Sequence, residues 1–193
     1  MMESQTNLNV FQKMVYALTK PEELFKFIRK EPFSAAFLYF LMINAISKAI
    51  RVLLFLANFP VSPNETVNSI LMEFVTTTIF SFIFAGIFHI FAKLFGGYAP
   101  YEGTFKAYVY GMTPSILFGW IPYIGILGSI YGIYIFIKGI SFIHAISLGK
   151  AFLVWFIPIL ILLLLILLLF LLVGVAVISY LAGFYSSNPK MFT

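Results

Sequence analysis

Apolar positions in this chain run in long blocks separated by short polar breaks, and the last block decides the class. Residues 151–182 read AFLVWFIPILILLLLILLLFLLVGVAVISYLA, without one charged side chain. About 20 apolar residues, each rising about 1.5 Å, cross the hydrocarbon of a bilayer. This block is therefore predicted to span a membrane, within a helix bounded as Lys150–Ala182. Four earlier blocks share its character: Pro32–Asn58, Ser69–Phe95, a short one at Thr104–Trp120, and Pro122–Ile146. The breaks between them, FPVSPNETVN, GGYAPYEG, WIP and SLGK, each carry Pro or Gly, as connections require. The pattern predicts an all-α membrane protein: a bundle of five transmembrane helices over residues 32–183. A cytosolic amphipathic segment, 1–31, precedes it and a short outer tail, 184–193, follows.

Ahead of the first span, Phe11, Met14, Val15 and Leu18 recur at helical spacing. Pro21 opens a second stretch, with Glu22 and Glu23 at its start and Lys26, Arg29 and Lys30 toward its end, an arrangement that suits the helix dipole. The prediction is an N-terminal amphipathic interfacial helix on the inner leaflet, its cations toward anionic lipid. The same pattern would serve as a docking surface for a cytosolic partner. The first residues, MMESQTNLNVFQK, hold no apolar stretch or cleavage site, so no signal peptide is expected.

Composition narrows the chemistry. Only 10% of residues are charged, where a soluble domain carries roughly 25%, which leaves no room for a separate soluble domain. Cysteine and aspartate are both absent, which removes disulfides, thiolate metal sites, cysteine nucleophiles and aspartate dyads. The net charge of +5 does not point to nucleic acid, because the aromatic residues sit inside apolar blocks rather than on a basic face. Its distribution is more informative. Lys13, Lys20, Lys26, Arg29 and Lys30 precede the first span, residues 59–68 have no Lys or Arg, and Lys93 and Lys106 flank the second connection. The third connection is again empty, and Lys138 and Lys150 flank the fourth. This alternation predicts an N-terminus in the cytoplasm and a C-terminus outside, with Lys190 in the tail the one weak exception. Trp120 and Tyr123 fall at the outer interface and Trp155 near the inner one, the level amphipathic rings prefer.

Several constellations could carry function. Asn44, Lys48, Arg51 and Asn58 form one polar stripe on the first span, and Glu73 lies in the early turns of the second. Counting from the outer connection, Arg51 and Glu73 sit roughly 10 and 6 Å deep, close enough to pair. Read structurally, they are an ion pair tying two helices. Read functionally, Asn44, Lys48, Arg51 and Glu73 are a polar cleft that accepts a lipid headgroup, an anion or a proton, because intramembrane charges are costly. Gly125, Gly128, Gly132 and Gly139 line one face of the fourth span, where small residues let helices approach. Pro114, between Thr113 and Ser115, should kink the third span. His144, Ser147 and Lys150 cluster at the fourth connection, either as a helix cap with a snorkelling lysine or as a seat for a phospholipid headgroup. Two histidines without Cys or Asp predict no metal site, and no cofactor is expected.

The order of these features resembles the Yip-domain family, the Rab-GTPase-interacting membrane proteins and their prokaryotic relatives. The residues that carry the likeness are Pro21-Glu22-Glu23-Leu24-Phe25, then GTFKAYVYGMTPSILFGWIPYIG at 103–125 and GISFIHAISLGKAFLVWFIP at 139–158. The likeness covers roughly residues 20–180. It implies a five-span integral membrane protein that associates with itself and with relatives, and in eukaryotes a role in vesicle trafficking and membrane shape. The long cytosolic N-terminal region and its acidic Asp-Leu-Tyr-Gly element are missing, which argues against Rab-type GTPase binding. The compact form is similar to prokaryotic members, implying the cytoplasmic membrane of a prokaryote. The expected role is a non-enzymatic scaffold or interaction protein, forming homo-oligomers or joining related membrane proteins and contacting membrane lipids. The alternative is a small-solute or lipid transporter or scramblase using the cleft between the first two spans. An intramembrane enzyme would lack a residue set.

Overall fold

The computed structural model describes residues 8–60 and 62–187. Among them all regular structure is helical: α1 Val10–Thr19, α2 Pro21–Ile28, α3 Phe33–Asn58, α4 Pro63–Leu94, α5 Tyr101–Gly111, α6 Thr113–Phe118, α7 Ile124–His144 and α8 Leu148–Ser187. Four helices are long and apolar enough to cross a membrane: α3, α4, α7, and α8 as far as Phe184. The third predicted span is not one of them, because its helix breaks at Met112 into α5 and α6. α4 starts at Pro63 rather than Ser69. Proline suits the first turn of a helix, Glu65 faces the positive end of the dipole, and Thr66 Oγ1 donates back to the Ser62 carbonyl.

The chain divides into two compact units, residues 1–155 and 156–193. The axis of the first is α5. Thr104, Phe105, Ala107, Val109 and Tyr110 are fully buried there, enclosed by α3, α4 and α7. α5 and α7 approach closely because Gly111 has no side chain: a Cβ there would lie 2.9 Å from the Phe136 Cα. α7 ends on Ala145 in the left-handed region, where Ser141 Oγ donates to the Ile146 carbonyl at 2.7 Å. The second unit, within its described residues, is the remainder of α8. Every residue from Leu160 to Phe184 except Gly174 is exposed, and nearly all are apolar. A helix apolar on all sides is at rest in hydrocarbon and not in water.

The N-terminal segment forms two helices docked on the bundle. α1 opens with a capping box, in which the Asn9 side chain accepts from the Gln12 amide at 2.8 Å while Gln12 returns the bond at 2.9 Å. Ala17, Leu24, Phe25 and Ile28 are buried against the bundle. The Phe25 ring occupies the notch left by Gly139. Lys13 pairs with Glu31 at 2.8 Å, and the Tyr131 hydroxyl donates to the Leu18 carbonyl at 3.0 Å. Tyr131 and Lys138 stand 13 and 6 residues from the end of α7 at His144, so the turn between α1 and α2 lies between about 10 and 20 Å along α7 from that end. Lys20, Glu22 and Glu23 stand exposed at this turn, and Glu22 accepts from Lys138 at 2.8 Å. That hydrogen bond holds the Glu22 carboxyl below its ordinary range.

Candidate functional site

Lys48 and Arg51, three residues apart, project from one face of α3. Opposite them on α4 stands Glu73. Its Oε1 accepts from Lys48 Nζ at 2.9 Å and from Arg51 Nη1 at 3.0 Å, and its Oε2 accepts from Arg51 Nη2. One carboxylate thus holds two cations, and the cluster carries one net positive charge. A cavity of about 350 Å³ opens beside it, walled by Asn44, Ser47, Thr77 and Trp120. Phe40, Tyr108 and Met112 line it as well. On the same helices the Tyr39 and Tyr110 rings lie 4.5 Å apart, and the Tyr39 hydroxyl bonds Thr113 Oγ1 at 2.9 Å. Alongside, Phe33, Phe37, Phe82 and Phe105 pack with ring centroids 4.8 to 6.4 Å apart. The Tyr110 hydroxyl in turn donates to Glu31 Oε2 at 3.1 Å.

Residues 15–171 match the Yip1 domain family. The chain belongs to the Yip1-domain family. The match runs from α1 well into α8, so the cavity, α3, α4, α7 and α8 as far as residue 171 fall inside it. With those helices, the Yip1 domain makes the chain an integral membrane protein. No curated protein and no solved structure gives a significant match to the chain.

Within the Yip1 domain the other sequence-predicted residues take distinct places. Asn44 donates to the Phe40 carbonyl at 3.0 Å and Asn58 to the Leu54 carbonyl at 2.7 Å, so both are satisfied within α3, and only Asn44 borders the cavity. The glycines of α7 face α5, α6 and α2. A Cβ at Gly125 would lie 2.6 Å from the Gly119 carbonyl oxygen, at Gly128 3.0 Å from that of Pro114, and at Gly132 2.8 Å from that of Gly111. At Gly139 it would meet the Phe25 ring. The first three are close approaches to a neighbouring backbone, and the fourth makes room for a ring. Pro114 sits in the first turn of α6, just beyond the break at Met112, where its missing N–H costs nothing.

The histidines separate from the loop cluster. His144 is fully buried and turns inward: its Nε2 bonds Thr104 Oγ1 at 2.8 Å, and the same hydroxyl meets His89 Nδ1 at 2.8 Å. Ser147 instead opens α8, its carbonyl accepting from the Ala151 amide at 2.9 Å and its Oγ from the Lys150 amide at 3.4 Å. His144 therefore does not share one surface with Ser147 and Lys150. Sequence reading did not single out Ser47, Thr77 or Thr104. Ser47 Oγ donates to the Ile116 carbonyl at 2.6 Å, at the end of α6 where helical carbonyls lack partners. Its position one turn before Arg51 was the available signal.

Proposed function

We propose that this Yip1-domain protein is a non-enzymatic membrane scaffold that works by helix packing, lipid contact and association with a second copy or a related membrane protein. The observation that carries the reading is the exposed charged turn Lys20–Glu23, set between about 10 and 20 Å along an apolar helix. Intramembrane charges are expensive against lipid tails, so that turn needs water or a protein partner beside it. The apolar and aromatic residues that line much of the cavity, Phe40, Tyr108, Met112 and Ile116, weigh against the transporter reading. The chain has no cysteine, so single-cysteine variants report cleanly. With Glu23→Cys in native membranes, oxidation is expected to give a disulfide-linked dimer, or a heterodimer with a related chain. A thiol that neither cross-links nor reacts with a water-soluble maleimide would place the turn in lipid and end the interaction reading.

The proposed topology has five crossings, with α5 and α6 together forming the third, the N-terminus in the cytoplasm of a prokaryote and the C-terminus outside. The 18 residues 101–118 rise about 27 Å, close to the hydrocarbon thickness of about 30 Å. Trp120 borders the same cavity as Arg51, so the turn into α7 stops about 10 Å short of the end of α3. An impermeant thiol reagent added to intact cells should label Tyr123→Cys, and should label Glu102→Cys only after permeabilisation. Failure to label Tyr123→Cys from outside would make residues 101–144 a re-entrant hairpin and reduce the count to three.

A further inference from the structure

Lys48 borders two spaces. On one side is the polar cavity with Arg51, Asn44, Ser47 and Trp120. On the other is a groove of about 300 Å³ between α3 and α4, lined by Ala45, Ala49, Val52, Val67, Ile70 and Phe74 among others. Lys48 is the sole charged residue of that groove; all its other walls are apolar. Ala45, Ala49 and Val52 follow one another at helical spacing, and the two alanines are small enough to leave a furrow on the exposed side of α3. A polar space carrying one surplus positive charge thus meets an apolar furrow at a single lysine.

We propose that this junction is a glycerophospholipid site. The phosphodiester sits on the Lys48 and Arg51 cations, the headgroup enters the polar cavity, and one acyl chain lies in the α3–α4 furrow. A phosphodiester carries one negative charge, which neutralises the surplus left after Glu73 has paired with both cations. A diacyl lipid without phosphate would leave that charge unmatched. A free phosphate would leave the furrow empty. The two half-sites together therefore select an amphiphile over either of its parts. Glu73 acts as a spacer: it fixes the two donor groups side by side while leaving further N–H directions open on both.

This inference deepens the lipid-contact part of the function proposed above, and its test is separate from the cross-linking at Glu23, which lies on the α2 side of the bundle. Delipidated protein in non-ionic detergent would be examined by native mass spectrometry with dioleoylphosphatidylglycerol, dioleoylglycerol and glycerol phosphate added in turn. Retention of one phosphatidylglycerol is expected, with neither of the others retained. Lys48→Gln, which leaves Glu73 its Arg51 partner, should weaken retention by about tenfold or more. Ala49→Leu fills the furrow from an exposed position, should fold normally, and should lower retention too. Glycerol phosphate binding as well as the lipid would make this a soluble-anion pocket. Dioleoylglycerol binding equally would make it an apolar furrow alone. Unchanged retention in both variants would place the lipid elsewhere. Each of these results overturns the proposal.

Discussion

Gly132→Leu is expected to lower the unfolding temperature of the detergent-solubilised protein clearly. A Cβ at Gly132 would stand 2.8 Å from the Gly111 carbonyl oxygen and 3.0 Å from Ser115 Oγ. Ser115 could turn aside, but the Gly111 carbonyl belongs to the backbone of α5 and cannot move without parting the helices. Ordinary overpacking of a core costs about 1–3 kcal/mol, and a branched side chain driven against backbone belongs at or beyond the top of that range. Gly132→Ala should show a smaller loss in the same direction. Gly86, on α4 in the same unit, has nothing within 4 Å of where its Cβ would be, so Gly86→Leu should leave the transition unmoved. Thermal unfolding followed by circular dichroism decides between them. A Gly132→Leu protein as stable as Gly86→Leu would mean that α5 and α7 do not meet at this face.

The glycine face of α7 could be read from spacing alone because it depends on one helix only. What it meets could not, since Gly132 touches Gly111 and Gly139 touches Phe25, far away along the chain. The same division recurs elsewhere. The ends of α3 and α7 were readable from Pro, Asn and loop composition to within a few residues. The break at Met112 was read as a kink at Pro114, because proline is visible in a sequence and the tertiary clamp on α6 by Ser47 is not. Charge counting treated Lys13 and Lys106 as cytosolic markers. In the fold both are buried, Lys13 on Glu31 at 2.8 Å and Lys106 on the backbone carbonyls of Arg29 and Glu31. Such pairings join positions that no local pattern links, and they also explain why α1 and α2 are docked on the bundle. Proximity in sequence groups His144 with Ser147 and Lys150. The left-handed turn at Ala145 sends the chain in a new direction just after it, leaving the imidazole inside with Thr104.

Glu73→Gln is expected to destabilise the protein by about 3 kcal/mol in detergent. Breaking a buried ion pair by removing one partner costs about 3–5 kcal/mol. The low end applies here because the Glu73 side chain is 40% exposed and borders the cavity. The loss has two parts. A neutral amide cannot match the bidentate hold on Arg51, and Lys48 and Arg51 then face each other without the anion between them. Lys48 is the worse placed of the two, with only 12% of its side chain exposed against 33% for Arg51. This ordering fixes the expected outcome of combining changes. Arg51→Leu with Glu73→Leu should recover only part of the loss, since Lys48 is left alone in a poor dielectric. Adding Lys48→Met should recover more, because a fully apolar cluster carries no unmatched charge. Equilibrium unfolding of the four proteins gives the comparison. A double variant as stable as the triple would show that Lys48 reaches water by itself, and a Glu73→Gln protein as stable as the parent would show that the three charges do not act as one cluster.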